Sequence, residues 1–123
     1  MDVRLKRAYE PASAKDGYRV LIDRLWPRGI SKKQAKLDEW AKELAPSSQL
    51  REWFGHEPSR FPEFRRRYID ELRADAPRLK ELRRRARMGT LTLVYSAHDS
   101  EHNDAVVLAE VLQRGLPRSE KRR

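Results

Sequence analysis

Apolar and polar residues follow two different periods along the chain, and these periods predict strands separated by helices. Residues 3–6 alternate apolar and basic side chains, which is typical of a strand with one solvated face. Residues 18–23 and 90–96 are short, mainly apolar runs bounded by turn residues, as expected for buried strands. We therefore predict three strands, with the first at an edge of the sheet and the second ending at Asp23.

Helices are predicted where apolar residues recur every three or four positions or where capping residues open a segment. Ser31 and Gln34 resemble a capping box, and Ser47 or Ser48 is expected to cap a helix that Gly55 closes. The predicted helices cover residues 37–44, 48–54, 61–72, 75–88 and 105–112, the last of them beginning near Ser100. In the helices predicted at residues 61–72 and 75–88, the apolar residues are expected to be buried, namely Phe61, Phe64, Tyr68, Leu79 and Leu82.

Strands that alternate with helices favour an α/β class, a small layered fold with a short, mainly parallel sheet and helices packed on its faces. The connection between the first two strands is shorter than the dozen or so residues that a parallel crossover requires, so that pair is open to an antiparallel arrangement. Residues 1–117 are expected to form one domain. The basic tail, residues 118–123, is predicted to be disordered.

Composition narrows the functional classes. The 123 residues include no cysteine, which leaves no disulfide or thiolate chemistry, and we find neither a signal peptide nor an apolar run of membrane-spanning length. We therefore expect a soluble, cytoplasmic protein without a membrane partner. The net charge of +9 is compatible with nucleic-acid binding and equally with an arginine-rich solvated surface.

A specific motif follows the second predicted strand. Residues 20–32 read Val-Leu-Ile-Asp-Arg-Leu-Trp-Pro-Arg-Gly-Ile-Ser-Lys, and further segments agree in order at residues 37–40, 44–47, 50–56, 101–103 and 105–110. This pattern resembles the YeaO-like family, a domain of unknown function (number 488), over nearly the whole chain. The resemblance implies the family and leaves its activity open. Similar proteins often have histidine where this chain has Asp104, so a mechanism that needs an imidazole there is in doubt for this chain.

Two predicted strand ends carry the candidate site, because ligands of parallel sheets bind beyond the carboxyl ends of the strands. Arginine forks and a helix N-terminus both favour an anion, so the predicted ligand is small and phosphorylated or nucleotide-like. The candidate ligand-binding residues are Arg24, Trp26, Arg28, Ser96, Asp99, Ser100 and Asn103. The candidates for acid–base chemistry are Asp23, His98 and His102.

Each of these residues also has a plain structural interpretation. Asp23 and Arg24 are equally well explained as an ion pair within a turn, and Asp99 or Ser100 as the cap of the last helix. Trp26 and Trp53 are either stacking platforms or core residues, and His56 is interpreted as a loop residue. The histidines lack a fourth ligand for a metal, and no nucleophile-elbow motif surrounds Ser96, so neither a metal, a cofactor nor a catalytic triad is predicted.

Three functions therefore remain open from the sequence. The first is a protein, enzymatic or not, that binds or acts on a small anion at the sheet edge. The second is a nucleic-acid-binding protein that uses a helical face of arginines, namely Arg65, Arg66, Arg67, Arg83, Arg84, Arg85 and Arg87. The third is a non-catalytic interaction domain. The sequence does not define an oligomeric state.

Overall fold

The computed structural model describes residues 1–118, and the predicted disorder of the tail falls largely outside them. Four strands form one sheet: β1 (Asp2–Arg7), β2 (Tyr18–Leu21), β3 (Glu39–Trp40) and β4 (Thr90–Tyr95). Five helices are present in these residues: α1 (Lys32–Ala35), α2 (Ser48–Phe54), α3 (Phe61–Leu72), α4 (Ala76–Met88) and α5 (Asp104–Arg114). Short 3-10 turns connect several of them.

All strand pairs are parallel, and their order across the sheet is β1-β4-β2-β3. The predicted α/β class and the edge position of β1 are confirmed. The antiparallel alternative for the first two strands is wrong, because β4 lies between β1 and β2 and pairs with both. The connection, residues 8–17, returns to the start of β2 with only the 3-10 turn Ala14–Asp16 in it.

The two faces of the sheet are covered unequally. Alternate residues such as Val20 and Leu93 face a large core formed with α2, α3, α4 and α5. On the opposite face, Leu21 and Val94 pack beneath Trp26 and Trp40 in a much smaller cluster. The helices therefore form one main layer, and the segment between β2 and β3 covers the other face.

One predicted helix is wrong. Residues 37–44 contain β3 and a 3-10 turn, Lys42–Leu44, where we predicted continuous helix. Lys36 adopts left-handed backbone geometry that ends α1, and the N–H of Ala41 donates to the carbonyl of Leu21 across the sheet edge. Pairing with a distant strand has overridden the local helical preference.

The link between β1 and β2 is fixed by a buried charge cluster. Asp16 accepts hydrogen bonds from Arg19 at 2.6 Å and from Lys6 at 3.1 Å. Burial alone raises the pKa of Asp16, but hydrogen bonds from the Ser13 N–H, Lys6 and Arg19 outweigh it, and the net pKa is lowered. Gly17 follows with φ 64°, and an added Cβ would lie 2.3 Å from the carbonyl oxygen of Thr90.

The predicted phase of α3 and α4 is confirmed with three exceptions. Phe64, Tyr68, Leu79 and Leu82 are buried, whereas Phe61 is only partly buried. Arg66, Arg67, Arg84, Arg85 and Arg87 are exposed, whereas Arg65 and Arg83 are partly buried. Local periodicity thus determined the core-facing side of both helices.

Candidate functional site

The carboxyl ends of the strands open into a cavity of about 590 Å³. The cavity lies where β2 and β4 diverge into loops, as expected for a parallel sheet. The sequence-predicted residues that line it are Asp23, Arg24, Trp26, Arg28, Ser96, His98, His102 and Asn103. Asp99 and Ser100 do not line it. The main lining residues that sequence reasoning did not assign to the site are Arg7, Arg51, Phe54, His56, Phe64 and Asp104.

Asp23 links the ends of β2 and β4. Its Oδ2 accepts hydrogen bonds from the backbone N–H of Ser96 at 2.9 Å and from the Ser96 hydroxyl at 2.8 Å. The carbonyl of Asp23 also accepts from the indole of Trp40 at 2.8 Å. Because its hydroxyl donates to Asp23, Ser96 is not arranged as the nucleophile of a Ser–His triad.

The predicted ion pair of Asp23 with Arg24 is absent from the described residues. The Nε of Arg24 instead donates to the carbonyl of Pro46 at 3.2 Å, which ties the loop after β2 to the segment before α2. Arg7 is held in the same manner, because its guanidinium donates to the carbonyls of Ala97 at 2.8 Å and Ser96 at 3.2 Å. Both arginines contribute positive charge to the cavity while positioning its walls.

Asp104 is the second carboxyl group of the cavity and lies at the first position of α5. Burial, the negative charge of Asp23 and a hydrogen bond with Asp23 raise the pKa of Asp104 well above its ordinary range. The folded state therefore holds the proton of Asp104 more tightly than the unfolded state does.

His102 is oriented by Asp99. The Nδ1 of His102 lies 2.8 Å from Asp99 Oδ2, while Asp99 Oδ1 accepts from the backbone N–H groups of Glu101 and His102. Hydrogen bonds from the Glu101 N–H and the His102 ring lower the pKa of Asp99. The rings of His102 and Phe61 also meet in a T-shaped contact, with centroids 5.2 Å apart. Asp99 therefore acts through His102, whose ring lines the cavity, instead of contacting a ligand itself.

Asn103 caps the helix for which Asp99 or Ser100 was the predicted cap. Its Oδ1 accepts from the N–H of Val106 at 2.9 Å, and its Nδ2 donates to the carbonyl of Asp99 at 2.7 Å. The helix consequently begins at Asp104, four residues later than the predicted start near Ser100. One of its free backbone donors is already satisfied by this buried side chain.

The mouth of the cavity carries unpaired positive charge. Arg28 and Arg51 are exposed, and within residues 1–118 neither guanidinium has a hydrogen bond or an ion pair. All three histidines of the chain, His56, His98 and His102, line the same cavity. Guanidinium and imidazole groups are donors to phosphate and carboxylate, so the mouth is suited to an anion.

The two tryptophans considered for stacking have different surroundings. Trp26 lines the cavity, donates from its indole to the carbonyl of Ile30 at 2.6 Å, and meets Trp40 edge-on at 5.3 Å. It therefore belongs both to the small core and to the cavity wall. Trp53 does not line the cavity, and the guanidinium of Arg67 lies over its ring at 4.6 Å.

The arginines of α3 and α4 are largely engaged with carboxylates. Arg65 pairs with Glu110, both Arg66 and Arg67 pair with Glu63, and Arg84 pairs with Glu81. The guanidinium of Arg85 lies over the ring of Tyr18 at 4.1 Å. Within residues 1–118, the Nε of Arg83 is buried without a hydrogen-bond partner. These ion pairs offset the positive charge of the face that was considered for nucleic-acid binding.

Two further properties complete the description of residues 1–118. No three side chains among their histidines, aspartates and glutamates are placed to hold a metal ion. None of their helices combines the length and the apolar character that crossing a membrane requires.

These features define a small parallel α/β domain with a charged cavity at the carboxyl edge of its sheet. The chain belongs to the family described as the "Inactive DUF488-N3 subclade", whose model matches residues 2–123. This match, together with the relatives, confirms the predicted YeaO-like resemblance.

Two relatives illustrate this membership. The chain is 46% identical over 113 residues to "Uncharacterized protein YeaO" of Escherichia coli, an alignment that covers 92% of this chain and 98% of that protein. It is 44% identical over 110 residues to "Uncharacterized protein Rv3073c" of Mycobacterium tuberculosis, covering 89% and 92% respectively. No solved structure matches significantly.

Proposed function

We propose that the cavity binds a small anionic molecule that is phosphorylated or nucleotide-like. The observation that carries the proposal is the presence of two unpaired guanidinium groups, Arg28 and Arg51, at the mouth of the cavity that all three histidines line. The volume of about 590 Å³ lies within the range of roughly 300–1,000 Å³ that is typical of small-molecule sites. Buried Phe54 and Phe64 supply an apolar wall for the body of such a ligand.

Binding without catalysis is the form of the proposal that we favour. The matching family is described as inactive. The hydroxyl of Ser96 is occupied by Asp23, and His102 has no nucleophile hydrogen-bonded to it among the described residues. A ligand-binding role needs only the charged mouth and the apolar wall, both of which are present.

Titration with phosphate compounds tests this proposal. Isothermal calorimetry with adenosine 5′-monophosphate and with inorganic phosphate would compare wild type, Arg28→Ala, Arg28→Lys and Arg51→Ala. Arg87→Ala is the matched control, because it removes an equal charge from an exposed position of α4 that does not line the cavity. Since a hydrogen bond to a charged group contributes about 1.5–3 kcal/mol, each alanine variant should weaken binding about tenfold or more.

The lysine variant separates geometry from charge. Arg28→Lys keeps the positive charge but cannot form the bidentate fork of a guanidinium, so it should also bind more weakly than wild type. Equal affinities in wild type, Arg28→Ala and Arg51→Ala, or no saturable binding to a folded wild type, would refute the anion site.

A duplex oligonucleotide in the same titrations tests the alternative helical face. If the arginines of α3 and α4 bind the phosphates of the duplex, the affinity should fall steeply as the salt concentration rises, and Arg87→Ala should reduce it. The carboxylate partners of Arg65, Arg67 and Arg84 give this alternative less support than the cavity.

A further inference from the structure

The inner wall of the cavity has a different chemistry from its mouth. The mouth carries exposed Arg28, Arg51 and His98, whereas the wall includes buried Phe64 together with Asp23 and Asp104. A bare phosphate is attracted to the mouth and repelled by the wall. A ligand that fills the cavity must therefore have two unlike ends.

The hydrogen bonds of the two carboxyl groups define what the wall can accept. Both bonds from Ser96 go to Oδ2 of Asp23, which leaves its other oxygen outside that contact. Asp104 lines the cavity together with Asp23, and carboxylate oxygens accept hydrogen bonds. The pair therefore presents acceptor lone pairs to the cavity, so its partner on the ligand must be a donor.

The charge around the pair selects a neutral donor. Four arginines, Arg7, Arg24, Arg28 and Arg51, line the same cavity as the two aspartates. Because these four guanidinium groups outnumber the two carboxyl groups, positive charge predominates in the cavity, and a cationic amine is electrostatically disfavoured. Hydroxyl groups are neutral donors that meet this requirement.

Resting on the proposed anion site, we propose that the Asp23–Asp104 pair recognises hydroxyl groups of the ligand, so that the ligand is a phosphorylated sugar, free or as part of a nucleotide. Its phosphate lies at Arg28 and Arg51, and its sugar hydroxyls donate to the carboxyl pair. Asp104 is then a specificity-determining residue of the site.

A ratio of affinities tests this assignment. The probes are ribose 5-phosphate, ethyl phosphate, which lacks hydroxyl groups on its alkyl chain, and ribose, which lacks the phosphate. Wild type should bind ribose 5-phosphate about tenfold more tightly than ethyl phosphate, as expected for a net gain of one to two hydrogen bonds. The ratio should fall below the wild-type value in Asp104→Ala and in the nearly isosteric Asp104→Leu, either of which suffices if the other does not fold.

Two further variants make the measurement specific. Asp104→Asn keeps a donor to Asp23 and an acceptor towards the cavity, so it should retain the preference for ribose 5-phosphate. Glu101→Ala is the matched control, because Glu101 is exposed in the same loop and does not line the cavity. An unchanged ratio in Asp104→Ala and Asp104→Leu would overturn the role of the carboxyl pair.

The outcomes also distinguish this inference from the proposed function. Equal binding of ribose 5-phosphate and ethyl phosphate, with both weakened in Arg28→Ala, would overturn the sugar assignment and leave the anion site standing. Ribose binding as tightly as ribose 5-phosphate would overturn the anion site and the phosphorylated-sugar assignment, and would leave only the recognition of hydroxyl groups by the carboxyl pair. No binding of either phosphate ester to folded wild type would overturn both.

Discussion

Replacement of Asp104 by asparagine should make the protein progressively more stable than wild type as the pH rises. Folding raises the pKa of Asp104, because its carboxyl group is buried beside Asp23 and hydrogen-bonded to it. The folded state therefore holds the proton more tightly than the unfolded state. Wild type loses this contribution to stability as the pH increases from the unfolded pKa of 3.8 through the folded pKa.

The size of the effect follows from linkage. One proton that is bound in the folded state and absent from the unfolded state changes the free energy of unfolding by about 1.4 kcal/mol per pH unit. Each unit by which folding raises the pKa thus adds up to about 1.4 kcal/mol to the difference between mutant and wild type. Asparagine does not titrate, and its amide can donate to Asp23 as the protonated acid does, so the hydrogen bond is kept.

Urea unfolding followed by tryptophan fluorescence measures this difference, since the chain contains three tryptophans. Unfolding free energies of both proteins at several pH values between 4 and 9 give the difference directly, and titrating groups that the mutation leaves unaffected cancel in it. The two curves should converge near pH 4 and separate above it until the folded pKa is passed. Curves that run parallel over the whole range would show that Asp104 is not held protonated by Asp23.

Two further predictions concern the link between β1 and β2. Gly17→Ala should destabilise the protein by on the order of 3 kcal/mol or more, because the new Cβ would lie 2.3 Å from the carbonyl oxygen of Thr90 and the backbone φ is 64°. A loss of stability below about 0.5 kcal/mol in thermal unfolding would contradict this geometry. Asp16→Asn should cost about 3–5 kcal/mol at pH 7, because it leaves buried Arg19 without its anionic partner. Folding lowers the pKa of Asp16, so the difference in free energy of unfolding between wild type and Asp16→Asn should shrink as the pH falls below 3.8. If urea unfolding gives the same difference at all pH values, the ion pair does not stabilise the protein.

Features that depend on neighbouring residues in the chain were predictable. The capping box of Ser31 and Gln34 forms as the sequence indicated, as do the cap at Ser47 and the left-handed Gly55 that ends α2. The buried sides of α3 and α4 follow the apolar period of 3.6 residues. All of these are set by contacts within one or two turns of the chain, which is the range that sequence patterns report.

Part of the cavity was also accessible from the sequence, because residues at strand ends meet at one edge of a parallel sheet. This rule brought Asp23, Arg28 and His102 together correctly. The same rule could have added Arg7, which ends β1. Arg51 had no such signal, since it reaches the cavity from a helix that packs beside the sheet.

The sequence by itself therefore determined the class of the fold, the helical faces and the edge of the sheet at which the cavity lies. Tertiary structure decided the order of the strands, the conversion of residues 39–40 into β3, and the contact of Asp23 with Asp104. It also decided the partner of Arg65, because Glu110 lies 45 residues away in the chain and is brought to Arg65 by the packing of α3 against α5. These properties depend on contacts between residues far apart in the chain or on burial. Burial changes the backbone preference of a segment and the pKa of a carboxyl group, and it exists only after the core has formed.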